Sequence, residues 1–151
     1  MKTQGSILYR LIPHHTMIGI FMAFALSMAQ AQNQSPSIKV KIPFTFNIGN
    51  QSFEAGDYTL KALIQHTTGL QNQNGRTLSN ISSNSIEAAA APSSTELVFN
   101  RYNEHYFLAQ IWEAGSNIGK QLIKSPAEVE MARATDSPAE QIAVRFHKHR
   151  R

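Results

Sequence analysis

The sequence contains no cysteine, and only 16% of its 151 residues are charged. The missing thiols exclude disulfide bonds, cysteine-ligated zinc and cysteine nucleophiles. The chain also has no run of about 20 apolar residues, the length that a membrane-spanning helix needs. What is present is an ordinary apolar content of 42%, in a length that predicts one domain, because domains most often contain about 100–150 residues.

The first 31 residues have the composition of a secretory signal peptide. Lys2 and Arg10 are basic, the segment contains no acidic residue, and Met17 to Met28 form an apolar run that is too short to span a membrane. Ala29-Gln30-Ala31 then supplies the small residues of a cleavage site before Gln32. We therefore predict export to the periplasm or the extracellular space, with no transmembrane span after cleavage.

Charge in the remaining chain is nearly balanced. Residues 32–151 contain twelve Lys and Arg against ten Asp and Glu, and four of the twelve cations lie in 145–151. Nucleic-acid binding requires a basic face on a folded body. The sequence predicts no such face, so we expect no nucleic-acid partner.

Short stretches of alternating apolar and polar residues continue through most of the chain. Ile38, Val40 and Ile42 alternate with polar residues, the period of two that is typical of a half-buried strand. Closely spaced turns and short strands favour a mainly β protein, an antiparallel sandwich or small barrel of about eight short strands with one or two C-terminal α-helices. We place this β domain at 37–124, after a polar spacer at 32–36.

Turn residues indicate where the strands reverse. Asn74-Gly75 favours a type I′ hairpin, because both central residues of that turn need positive φ. The Ser- and Ala-rich stretch 82–95 predicts a long loop. Residues 96–102 and 105–112 predict the strongest hairpin, which turns at Asn103-Glu104.

The C-terminal part predicts helices at 125–146 that pack on the sheet, followed by a basic tail at 147–151. Ser125-Pro126-Ala127-Glu128 has the residues of a capping box, and the same tetrapeptide returns at 137–140. Apolar residues after the second tetrapeptide recur at helical spacing, which predicts a second, amphipathic helix.

Two blocks of sequence carry a family resemblance. They are Lys41-Ile42-Pro43-Phe44-Thr45-Phe46-Asn47-Ile48-Gly49-Asn50 with Ala55-Gly56-Asp57-Tyr58-Thr59-Leu60, and Leu97-Val98-Phe99-Asn100-Arg101-Tyr102 with Tyr106-Phe107-Leu108-Ala109-Gln110-Ile111-Trp112. They resemble the Pro-Phe-x-Phe…Ala-Gly-x-Tyr and Leu-Val-Phe-x-Arg-Tyr…Tyr-Phe-Leu-x-x-Ile-Trp blocks of short exported proteins of unknown function that are common in acidobacteria. The resemblance covers roughly half of the chain after the leader. It implies a fold and a Gram-negative envelope setting, with no catalytic residues to carry over.

The aromatic hairpin at 97–112 is the candidate ligand-binding region. Its candidate residues are Arg101, Tyr102, Tyr106 and Trp112. Strand alternation predicts that Tyr106 and Trp112 share one face, where they would stack a sugar ring or grip a peptide. The alternative is that the C-terminal helices cover this face and bury it.

The sequence predicts no catalytic residue, no metal site and no cofactor. The stretch 115–119 has the wrong spacing for the G-x-S-x-G nucleophile motif. No Gly-rich phosphate loop is present, and the histidines after the leader do not form an H-x-x-x-H or H-E-x-x-H pair. Enzymatic activity is therefore not expected.

Together these features predict an exported, non-catalytic envelope protein that acts as a binding or structural module. The expected partner is an envelope glycan or a protein, bound through the aromatic hairpin, and the sequence does not specify an oligomeric state. The alternative is a small secreted hydrolase whose site assembles from residues that are distant in sequence.

Overall fold

A computed structural model describes residues 37–64, 66–135 and 137–146. The predicted signal peptide, the spacer and the basic tail lie outside these residues. The described part contains ten strands and one helix: β1 (Ser37–Ile42), β2 (Phe46–Ile48), β3 (Gln51–Phe53), β4 (Gly56–Ile64), β5 (Thr67–Gln71), β6 (Thr77–Glu87), β7 (Thr95–Tyr102), β8 (His105–Trp112), β9 (Ile118–Leu122), α1 (Pro126–Ala134) and β10 (Glu140–Phe146).

The strands form one curved sheet in the order β1-β4-β5-β6-β9-β8, and β7 and then β10 continue it beyond β8. Pairing is antiparallel except for one parallel bridge from β2, which holds the β2–β3 hairpin against β8. β10 comes within 8 Å of β1 between Cα atoms without pairing to it. The mainly β prediction is thus confirmed, as a sandwich-like sheet that does not close into a barrel.

Alternation along the strands builds the core. In β1, Val40 and Ile42 are buried while Lys39 and Lys41 are exposed, as the period of two predicts. The fully buried large side chains are contributed by strands from all parts of the sheet: Phe46, Phe99, Ile42, Leu60, Leu70, Leu97 and Ile111. We call the surface of the sheet that carries these residues the inner face, and the opposite surface the outer face.

A bulge at Ala109 interrupts the alternation of β8. Val98 pairs with Gln110, but the next residue of β7, Phe99, pairs with Leu108. Two steps along β8 therefore correspond to one step along β7, which leaves Ala109 as the extra residue. A single extra residue reverses which face each later side chain occupies.

The helix prediction is right for the first tetrapeptide and wrong for the second. α1 begins after Ser125, whose hydroxyl oxygen accepts a hydrogen bond from the Glu128 N–H. Residues 140–146 instead form β10, which pairs with seven of the eight residues of β7, Thr95 to Arg101. Ile142 and Phe146 fit the spacing of a helix as well as that of a strand, whereas Val144 joins them only in a strand, and the available edge of β7 decides between the two. Within the described ranges, no helix is both long and apolar enough to cross a membrane.

Two turn predictions also need correction. At Asn74-Gly75, Gly75 has φ of +76° but Asn74 does not have positive φ, so the turn is not type I′. The Asn72 side-chain oxygen instead accepts hydrogen bonds from the N–H groups of Asn74 and Arg76. The predicted loop at 82–95 is shorter, because β6 extends to Glu87 and pairs with β9.

Candidate functional site

The bulge separates the two aromatic residues that the sequence places on one face. Arg101 pairs with Tyr106 before the bulge, in phase with Phe99 and Leu108 on the inner face. After the bulge, Ile111 pairs with Leu97 on the inner face, so Trp112 lies on the outer face. The prediction of a shared face for Tyr106 and Trp112 is therefore wrong, and the cause is the extra residue Ala109.

Tyr106 contributes to packing at one end of the sheet. Its ring stacks on Phe44, with 4.1 Å between centroids and 19° between planes. The Arg101 guanidinium carbon lies 5.7 Å from the Tyr106 centroid, and Arg101 Nη1 lies 3.2 Å from a carboxylate oxygen of Glu140 on β10. Phe44, Tyr106 and Arg101 thus form a stack that ties the β7–β8 hairpin to β10 and to the segment after β1.

Tyr102 is only 3% exposed, and it belongs to a polar cluster beneath α1. Its hydroxyl donates to Glu128 Oε1 at 3.4 Å and accepts from Lys124 Nζ at 3.3 Å. Asn100 Nδ2 donates to the same carboxylate oxygen at 2.7 Å. Tyr102 is therefore unavailable as a ligand platform, because α1 covers this part of the outer face.

The role of Glu128 differs from the one that its sequence context predicts. The capping box predicts a carboxylate that reaches back to the start of the helix. Glu128 is 4% exposed and turns instead toward Asn100 and Tyr102 on the outer face of the sheet. A buried carboxylate that receives two hydrogen bonds attaches α1 to the sheet, although α1 itself has no wide apolar stripe.

Trp112 is half-buried on the outer face, and its ring orientation is fixed by Gly119 on the neighbouring strand β9. The two residues are paired, and a β-carbon built on Gly119 would lie within 2.6 Å of three indole atoms, Cδ2, Cε3 and Cζ3. If this β-carbon approached the edge of the ring, it would lie much farther from Cδ2 and Cζ3 than from Cε3, the atom between them. The indole therefore lies with its flat side over the glycine, parallel to the sheet surface.

A chain of amides holds the indole in this orientation. Trp112 Nε1 donates to Gln110 Oε1 at 2.9 Å, and Gln110 Nε2 donates to Gln121 Oε1 at 2.9 Å. Gln121 Nε2 in turn donates to the carbonyl oxygen of Ala109 at 3.1 Å. The bulge thus places Gln110 and Trp112 outward and supplies the carbonyl group that ends the chain.

An ion pair lies on the other side of the indole. Glu96 of β7 pairs with Trp112 in register, and Glu96 Oε1 lies 2.7 Å from Arg145 Nε of β10. We call the set Glu96, Gln110, Trp112, Gln121 and Arg145 the Trp112 platform. Of these five residues, the sequence-predicted site contains only Trp112. Glu96, Gln121 and Arg145 lie on three other strands, so alternation within β8 could not reveal them. Gln110 is two residues from Trp112 and shares its face, so alternation could have identified it.

A cleft of about 660 Å³ lies elsewhere, at the open seam between β1 and β10. Its lining includes Lys39, Lys41 and Arg145, together with Tyr58. Burial, and secondly the negative charge of Glu54, raise the pKa of Tyr58 above its ordinary value. The Tyr58 hydroxyl donates to the Glu54 carbonyl oxygen at 2.6 Å.

Among residues 37–64, 66–135 and 137–146, no group of three His, Asp or Glu side chains is arranged to hold a metal ion.

Comparisons of the chain with protein-family models, with curated proteins and with solved structures give no match. The resemblance to the acidobacterial exported proteins therefore stays a prediction.

Proposed function

We propose that this protein is an exported, non-catalytic binding module of the cell envelope, and that it holds a glycan on the Trp112 platform. The observation that carries the proposal is the fixed, flat orientation of the indole on the outer face, over Gly119. A planar aromatic surface of this kind suits the apolar C–H face of a sugar ring, because the indole combines a large apolar body with a polar edge.

The groups around the indole suit the hydroxyl groups of the same sugar. Gln110 and Gln121 present amide groups on one side, and the Glu96–Arg145 ion pair presents acceptors and donors on the other. The Gln110 side-chain nitrogen makes one hydrogen bond within the platform and has a second N–H to offer a ligand, whereas the Gln121 nitrogen donates to the carbonyl oxygens of both Ala109 and Leu122. A ligand that binds the Gln110 amide therefore need not break the existing chain. The platform is therefore ordered before a ligand arrives, which lowers the entropic cost of binding.

The predicted export of the chain supports a glycan as the ligand. A signal peptide would deliver the domain to the envelope, where polysaccharide is abundant. The shallow platform, with no carboxylate pair across a cleft, favours binding over hydrolysis.

Binding of envelope polysaccharide fragments to the purified protein tests the proposal. Trp112 is the only tryptophan in the chain, so its fluorescence reports on the platform alone. We expect glycan to change the emission, and we expect Trp112→Ala to weaken binding at least about ten-fold, the equivalent of about 1.4 kcal/mol. Far-UV circular dichroism checks that the variant stays folded.

Tyr106→Ala is the matched control, because Tyr106 is a half-buried aromatic residue of the same strand on the opposite face. We expect this variant to lose stability but to retain glycan binding. Equal loss of binding in both folded variants, or no binding of any envelope polysaccharide by the wild-type protein, would contradict the proposal.

A further inference from the structure

The open seam of the sheet places two strand edges next to each other. β1 hydrogen-bonds to β4 along all six of its residues, and within the described residues nothing pairs with its other edge. β10 pairs with β7 in the same one-sided way. An unpaired edge presents backbone N–H and C=O groups that can pair with a further strand. By comparison, the other edge strand, β3, has only three residues.

The cationic side chains at this seam indicate what kind of strand it accepts. Lys39 and Lys41 are two residues apart on the exposed side of β1, and neither forms a salt bridge within the part of the chain that is described. Arg145 lies across the cleft on β10 and already pairs with Glu96. The lining includes one carboxylate, Asp57, which pairs in register with Lys41 and accepts a hydrogen bond from Gln73. The two lysines on β1 therefore exceed this one carboxylate by a single positive charge.

We propose that β1 binds an extended acidic peptide segment of a partner protein, which adds to the free edge of β1 as a further strand. β10 comes within 8 Å of β1, and a strand between the two needs about 9.5 Å, so the end of β10 moves outward when the segment binds. Main-chain hydrogen bonds to the free edge would supply affinity, and alternate side chains would supply specificity. Acidic residues at every second position of the segment match the spacing of Lys39 and Lys41, because cross-strand neighbours on one face pair favourably when their charges are opposite.

A second copy of the chain is a poorer occupant than an acidic partner. Pairing β1 with another β1 would bring the two lysines of one chain close to the two lysines of the other, and like charges across a strand pair are destabilising. Lysines on an edge strand are a common means of preventing such self-association. An acidic segment converts the same lysines into a favourable contact.

The length of β1 and the rings beside it indicate the length and the inner side chains of such a segment. Six residues of β1 extend over about 20 Å, so the complementary segment has about six residues. The cleft of about 660 Å³ contains the half-buried rings of Tyr58 and Phe146 next to the cationic rim. Apolar residues between the acidic ones would contact these rings, so the segment alternates acidic and apolar residues.

The test uses two six-residue peptides, Thr-Glu-Val-Glu-Val-Glu and its lysine counterpart Thr-Lys-Val-Lys-Val-Lys, with the purified protein. Backbone amide chemical shifts identify which strand a peptide contacts, and a titration gives the affinity. We expect the glutamate peptide to bind at β1 and the lysine peptide not to bind. We expect Lys39→Glu/Lys41→Glu to weaken binding of the glutamate peptide about ten-fold and to allow the lysine peptide to bind.

Arg76→Glu is the control variant, because Arg76 is exposed in the turn between β5 and β6 and is not part of the seam lining. It should leave both affinities unchanged. The proposal is overturned if the glutamate peptide shifts no β1 amides, if Arg76→Glu weakens binding as much as the double variant, or if the two lysines bind vesicles of phosphatidylglycerol while no peptide binds.

Discussion

Replacing Gly119 by alanine should displace the indole of Trp112 and lower stability. The new β-carbon would lie within 2.6 Å of indole atoms, whereas carbon atoms in contact are about 3.5–4.0 Å apart. The ring must therefore move outward by about 1 Å. That movement stretches the 2.9 Å hydrogen bond from Trp112 Nε1 to Gln110 and removes the ring from the glycine backbone.

The expected cost follows from two opposing terms. Overpacking of this kind costs about 1–3 kcal/mol. Alanine also restricts the unfolded chain more than glycine does, which returns about 0.4–1 kcal/mol. We expect Gly119→Ala to lower the free energy of unfolding by about 1–2 kcal/mol. For a domain near 100 residues, each kcal/mol corresponds to a fall in Tm of about 4–8 °C.

Two measurements separate the local change from the global one. Urea denaturation followed by far-UV circular dichroism gives the loss of stability, and near-UV circular dichroism together with fluorescence reports on the single tryptophan. Gly56→Ala is the matched control, since a β-carbon there meets Tyr58 atoms at an ordinary 3.6 Å or more. We expect this control to be neutral or slightly stabilising.

The reasoning is refuted if Gly119→Ala and Gly56→Ala have the same stability and the tryptophan signals of Gly119→Ala match those of the wild-type protein. That result would mean that the indole does not lie over Gly119, and the proposed glycan platform would lose the observation that carries it.

Two further predictions concern the polar cluster beneath α1 and the seam. Glu128→Ala leaves the buried Asn100 amide without its acceptor, so the free energy of unfolding should fall by about 1–3 kcal/mol in urea titrations, while Glu128→Gln, which keeps an acceptor oxygen, should lose less. The pKa of the Tyr58 hydroxyl is raised in the folded state, so this hydroxyl ionises at a lower pH in the unfolded chain than in the folded one. Its contribution to stability is complete below about pH 10 and is lost as the pH rises through the folded-state pKa. Urea midpoints measured from pH 8 to pH 11 should therefore fall less steeply for Tyr58→Phe than for the wild-type protein, and identical slopes would count against a shifted Tyr58.

Local signals predicted the β7–β8 hairpin almost residue for residue. The sequence places its strands at 96–102 and 105–112, and the structure has them at Thr95–Tyr102 and His105–Trp112, with Asn103 at φ of +53° in the turn. Asparagine tolerates this left-handed conformation, so the turn has a residue-level signal. The mainly β class and the first helix start rest on similarly local patterns.

Features that depend on a neighbouring strand could not be predicted in the same way. Residues 140–146 fit either period, and only the edge of β7 makes them a strand. The bulge at Ala109 has no marker in the sequence, because alanine is compatible with regular and bulged strands alike; it is defined only by the pairing with β7. The candidate site therefore lies on a hairpin that forms as predicted, but the faces predicted for its aromatic residues are wrong.

The extra residue in β8 places Tyr106 and Trp112 on opposite faces, although they are an even number of positions apart. Deleting Ala109 would remove only the unpaired residue, so Gln110, Ile111 and Trp112 would keep their partners on β7, and the indole would stay on the outer face of a regular strand. The deletion would instead remove the carbonyl group that ends the amide chain beside the indole. In related chains, the register that pairs Trp112 with Glu96 would therefore matter more for ligand binding than the number of residues between Tyr106 and Trp112.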